Sequence, residues 1–210
     1  MQSLFPILGI FAVFSPALML PGPDFVAVVR NTIGRGVRAG VLTALGVSIG
    51  IAFYAALSAI GLSTLTNRFE WFEIVVQTGG ALFLGYLGVN LLLTRAPVRH
   101  IEQESAKPPA GPRNPVLLGL LVNLTNPKAI IFFASIFGSA LKPDTPPVVI
   151  AMIIAIVGVC GMLWFSTISL VTASTGLLVR LEDHQHWIER LAGLAFLGFA
   201  LKIAYDLLLA

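Results

Sequence analysis

Apolar positions in this chain gather into six long runs, roughly Leu4–Val29, Val41–Leu62, Ile74–Leu93, Val116–Leu141, Val148–Val171 and Leu191–Leu209. A helix needs about 20 apolar residues to cross the hydrocarbon core of a bilayer. The runs meet that length, and short polar stretches separate them. The pattern predicts an all-α integral membrane protein with six transmembrane helices.

Two of the runs, the first and the fourth, are interrupted by proline. The first contains Leu20-Pro21-Gly22-Pro23-Asp24. Pro21 and Pro23 lack amide hydrogens, and their rings clash with a preceding helical turn. Gly22 tolerates backbone angles closed to other residues. Pro23 suits the first position of a new helix, which puts Asp24 near that helix's positive end. In lipid an unpaired backbone group is costly, so a helix break survives only where it is buried or lines a cavity. One reading is a discontinuous helix whose free amides hold a substrate carboxylate while Asp24 holds an ammonium or carries a proton. The other is a plain kink with Asp24 as a helix-start residue, since Arg30 follows closely.

The fourth run contains Asn123-Leu124-Thr125-Asn126-Pro127-Lys128. Asn126-Pro127 signals a break, and Asn123 and Asn126 offer side-chain amides. Lys128 lies fifteen residues beyond Arg113, roughly 22 Å along a helix, too far to snorkel easily to the cytosol. Intramembrane charges are rare and usually functional. An ion pair between Lys128 and Asp24 is expected, serving binding, helix fastening or both. Paired breaks in corresponding positions of two halves point to a transporter's substrate site.

Composition agrees with the membrane reading. The chain has 210 residues, 57% hydrophobic and 11% charged, against about 25% charged in a soluble domain. The sequence pI near 9.4 does not imply nucleic acid, because the basic residues are dispersed and form no patch. They do orient the chain. Arg30, Arg35 and Arg38 lie in the first connection, Arg95, Arg99, Lys107 and Arg113 in the third, Arg180 and Arg190 in the fifth. Cytoplasmic loops are enriched in Lys and Arg, so these connections face the cytosol and both termini face outward, to the periplasm. The start of the chain lacks the basic flank of a secretory signal, so the first run is expected to stay as a membrane helix.

The third and sixth runs resemble each other: Gly80-Ala81-Leu82-Phe83-Leu84-Gly85-Tyr86 matches Gly193-Leu194-Ala195-Phe196-Leu197-Gly198-Phe199. Leu8-Gly9 and Leu118-Gly119 also align, each followed by a break. Three spans per unit is an odd number, so the second unit must be inverted. The expected architecture is one transmembrane domain, 1–210, built as a 3+3 inverted repeat. The first repeat covers about 1–94 and the second about 116–210, with helices 1 and 4 broken. A flexible cytosolic linker, about 95–115, joins them.

Other motifs change the picture less. Gln77, Thr78, Asn90 and Lys202 are candidate cavity polars; the first three equally suit hydrogen bonds to neighbouring helices, and Lys202 is spaced i, i+4 from Asp206. Gly46-Val47-Ser48-Ile49-Gly50 has the pattern of a hydrolase nucleophile elbow, but it lies inside an apolar helix, where small residues permit close helix packing. His100, His184 and His186 are placed in cytosolic loops without companions for a metal site. Cys160 reads as a small buried hydrophobe. No Walker-type phosphate loop occurs. No cofactor and no metal are expected. Glycine-rich faces permit a homodimer without requiring one.

The two motifs resemble a known family. Pro21-Gly22-Pro23-Asp24-Phe25, with Arg30, Gly34, Gly36, Ala39-Gly40 and Ala44-Leu45-Gly46, and the later Gly119-Leu120-Leu121-Val122-Asn123-Leu124-Thr125-Asn126-Pro127-Lys128-Ala129 are similar to signatures of the LysE/RhtB family of bacterial amino-acid exporters. The resemblance covers nearly the whole chain. It implies a secondary transporter of the bacterial inner membrane, not an enzyme, that exports an amino acid or derivative from the cytosol, coupled to protons. Leu20 stands where many relatives carry Ser or Thr, and Pro16 adds an earlier break signal. Two rival functions stay open. A transporter of a metal cation or another small solute would want more intramembrane carboxylates than Asp24. A membrane enzyme or assembly factor would want clustered acid, base or metal groups.

Overall fold

The computed structural model describes residues 4–66, 70–93, 112–141, 145–174 and 177–209. Among them the chain is all helical: α1 Leu4–Met19, α2 Pro23–Arg35, α3 Val37–Thr66, α4 Glu70–Leu93, α5 Pro115–Leu124, α6 Pro127–Ala140, α7 Pro147–Thr172 and α8 Leu177–Leu209. Four stretches are long and apolar enough to cross a membrane: Val37–Gly61, Ile74–Leu93, Pro147–Thr172 and Glu189–Leu209. Two helix pairs reach the same standard together, bent by 48° between α1 and α2 and by 61° between α5 and α6. Among the described residues the candidate spans therefore number four, or up to six if each bent pair crosses once.

Local chemistry explains the bends. α1 stops at Met19, and Pro23 opens α2 at its first position, where a missing amide hydrogen costs nothing. Pro127 does the same for α6. Pro16 does not break α1, contrary to its signal; the helix continues through it. Beside this proline the Ser15 hydroxyl donates back to the Phe11 carbonyl at 2.9 Å, which satisfies the hydroxyl within its own helix. α2 ends at Gly36, whose φ of +84° lies in the left-handed region open to glycine.

α3 is the central helix: it packs against α2, α5, α6 and α7, while α4 packs mainly along α8. Over half of α3's apolar stretch, 56%, is buried, against 17% of α4's. Glycines set the closest approach. A methyl group added at Gly46 would strike the Val116 carbonyl, and one at Gly119 would strike the Thr43 carbonyl, so the backbones of α3 and α5 lie nearly in contact. Gly46 and Gly50 thus serve helix packing, as small residues spaced four apart do in membranes. The outer faces remain apolar, with Leu82, Tyr86, Leu163, Leu194 and Leu201 strongly exposed, a surface suited to lipid.

Two boundaries differ from the sequence pattern. α8 begins at Leu177, so His184 and His186 lie within a helix rather than a loop. Its first turns mix charged and apolar residues, which a run of hydropathy cannot register. The expected linker over 95–115 lies largely outside the described residues; at its end the Arg113 carbonyl accepts a hydrogen bond from Arg35 Nη1 at 3.1 Å.

Candidate functional site

The two bends meet around one cavity of about 60 Å³, lined on its polar side by Gly22, Asp24, Asn123, Asn126 and Lys128. A single water needs roughly 10–15 Å³ on such a scale, so the space admits several waters or one small solute group. The opposite wall is carbon, from residues that include Phe14, Leu18, Ile51, Phe132 and Phe133.

Each break supplies its polar groups in a different way. At the second, Asn126 caps α6: its Oδ1 accepts from the Lys128 amide at 3.1 Å. The other end of the Asn126 side chain, Nδ2, donates to Asp24 Oδ2 at 3.1 Å. Asn123, at the end of α5 and fully buried, also donates through Nδ2 to Asp24 Oδ2 at 3.1 Å. One carboxylate oxygen therefore gathers two amides from the opposite half of the chain. At the first break, by contrast, no side chain caps α2 behind Gly22. The opening amides of α2 therefore lack a side-chain cap, and helix starts attract negative groups.

The site is not internally satisfied. Asp24 Oδ1 and Asn123 Oδ1 are buried and find no hydrogen-bond partner among the described residues. Buried polar atoms are normally paired, so such orphans call for an explanation. Lys128 shares the cavity with Asp24 but does not close the expected direct ion pair with it, as Lys202 does with Asp206. The reason is positional. Asn123 and Asn126 flank the break itself, and their short side chains reach Asp24 first.

The sequence-derived candidates divide accordingly. Gly22, Asp24, Asn123, Asn126 and Lys128 come together at the cavity. Pro21, Pro23 and Pro127 do not line it, but they fix where the helices stop and start. Gln77, Asn90 and Lys202 lie outside this cavity. Gln77 and Asn90 ride on α4, which packs on α8 at the periphery. Lys202 is exposed and pairs at 2.5 Å with Asp206 on its own helix.

Two residues of α3 escaped the sequence reading as site residues. Tyr54 donates its hydroxyl to the Leu124 carbonyl at 2.6 Å, satisfying a backbone group that the second break leaves free. Gly50 sits against Asn123, where an added methyl would collide with the side-chain oxygen. A tyrosine hydroxyl inside an apolar run was the available signal for the first. Nothing in the sequence tied Gly50 to Asn123.

Comparison with known proteins places this arrangement. The chain is similar to a threonine efflux protein of Salmonella typhi, 28% identical over 190 residues, covering 89% of this chain and 91% of the relative. It is 30% identical over 191 residues to a threonine efflux protein of Escherichia coli strain K12, covering 89% and 91%. It is 32% identical over 194 residues to a leucine efflux protein of Salmonella choleraesuis strain SC-B67, covering 89% of each. No solved structure matches it. The family model described as LysE type translocator matches residues 16–207, a span that takes in both breaks and the cavity between them, and the chain belongs to that family.

Proposed function

We propose that this protein is a secondary transporter that exports an amino acid or a close derivative from the cytosol across the bacterial inner membrane. The observation that carries the reading is the cavity at the two helix breaks. It offers one acid, one base, two amides and uncapped backbone donors. An α-amino acid presents one ammonium and one carboxylate, and this set complements both. Its ammonium goes to Asp24, and its carboxylate to Lys128 and the start of α2.

In this reading each bent pair is one span, which gives six spans in a 3+3 inverted repeat with both termini periplasmic. Partial support comes from helix contacts that recur when the halves are exchanged: α3 on α5 answers α7 on α1, α3 on α6 answers α7 on α2, and α2 on α5 answers α6 on α1, whereas α2 on α3 and α4 on α6 have no counterpart of similar extent. The two halves rock around the breaks, and cargo or a proton rearranges the Asp24–asparagine contacts as they do. A carboxylate within the spans supports proton coupling. The homologues named for threonine and leucine efflux support an amino-acid cargo.

The test is efflux of labelled threonine, homoserine, leucine, lysine and arginine from proteoliposomes, with and without an imposed proton gradient. Efflux of one of them above that from protein-free vesicles, stimulated by the gradient, is the expected result. No efflux of any overturns the reading. Efflux insensitive to the gradient overturns the coupling alone.

A further inference from the structure

We infer that the cavity selects amino acids whose side chain is compact, apolar and uncharged, and rejects those that carry a second charge. This rests on the export reading above and narrows its cargo. Asp24 is the only acid and Lys128 the only base among the residues lining the cavity. Both are taken up by the α-ammonium and α-carboxylate that every amino acid has. Nothing ionic is then left for the side chain, which must lie against the carbon wall.

That wall is fixed. Phe14 on α1 and Phe133 on α6 pack with ring centroids 6.0 Å apart, closing the space between elements of the two halves. Phe132 stands edge-on to Phe133 at 5.7 Å, and all three rings are buried. A side-chain ammonium, guanidinium or carboxylate placed here would be desolvated without a counter-charge, a penalty that a buried methyl group does not meet. A space of only about 60 Å³ leaves less room for an indole than for a short aliphatic side chain. Threonine, the isostere of valine with one hydroxyl, is disfavoured only modestly, because an apolar pocket rejects such an isostere weakly.

The experiment measures efflux of labelled leucine, valine, threonine, lysine, arginine and glutamate, each at the same internal concentration, from proteoliposomes holding the full chain. Leucine and valine are expected to leave at least about tenfold faster than lysine, arginine or glutamate, and valine faster than threonine by less than about 100-fold. Lysine, arginine or glutamate within about threefold of leucine overturns this inference and leaves amino-acid export standing. Efflux of none of the six overturns both. Phe133→Leu, a milder change than truncation to alanine, is expected to raise phenylalanine efflux relative to valine; an unchanged ratio overturns the role given to this ring.

Discussion

Asn123 donates its side-chain amide to Asp24 Oδ2 at 3.1 Å, joining residues 99 positions apart and the two helix breaks to each other. With Asn126 making the same 3.1 Å bond, Asp24 ties the first break to the second through polar groups.

Asp24→Asn isolates the charge. An asparagine oxygen can still accept from Asn123 and Asn126, so folding and membrane insertion should survive. Its neutral amide cannot hold an ammonium as a carboxylate does. Efflux from proteoliposomes should fall at least about 100-fold, the equivalent of roughly 2.7 kcal/mol in the transport step. Export within about twofold of the wild-type rate, for protein that elutes as a single species, would show that the carboxylate charge is dispensable.

Asn126 separates capping from contact with Asp24. Asn126→Ala removes both the α6 cap and the bond to Asp24, and loss of a cap costs about 0.5–2 kcal/mol. Asn126→Asp keeps a good cap but sets a second carboxylate beside Asp24. Thermal denaturation in detergent should rank the alanine variant clearly below wild type, while efflux should be lost in the aspartate variant as well. Normal efflux from Asn126→Asp would contradict the role given to the amide.

Much of this site was legible in the chain itself. Proline, glycine and asparagine carry local backbone consequences, so both breaks and the residues flanking them could be placed from composition alone. Asp24 and Lys128 stood out because charge is rare in apolar runs. What stayed hidden depends on which face of one helix meets another. Lys202 is as conspicuous in sequence as Lys128, yet it finds Asp206 one turn away and stays exposed. Asn123 and Asn126, five and two residues before Lys128, reach Asp24 instead of it, a distinction below the resolution of hydropathy. The start of α8 at Leu177 was missed because its first turns alternate charge and carbon without an apolar run.

Gly50 tests whether α3 seats the second break. A methyl there would collide with the Asn123 side chain at its oxygen, Cβ and Cγ, and would push this fully buried amide away from Asp24. Overpacking of this kind costs about 1–3 kcal/mol. Gly50→Ala should therefore slow efflux about tenfold or more by displacing the amide from Asp24. Gly79→Ala is the control: a methyl at Gly79 meets nothing within 4 Å, and its efflux should match wild type. Equal rates in both variants would remove Gly50 from the site.

Tyr54 tests the backbone of the break. Its hydroxyl donates to the Leu124 carbonyl at 2.6 Å, and the residue is nearly buried. Tyr54→Phe keeps the ring and its packing beside Phe53 but strands the carbonyl where water is scarce. An unsatisfied buried acceptor costs about 1–3 kcal/mol, and a break in lipid has few other donors to offer. The variant should melt at a lower temperature in detergent than wild type, and α5 should become more accessible to amide hydrogen exchange near Leu124. Because the cavity's charged groups are untouched, cargo selectivity should hold while the rate declines. An unchanged melting temperature together with unchanged exchange at Leu124 would mean that this carbonyl is satisfied without the tyrosine.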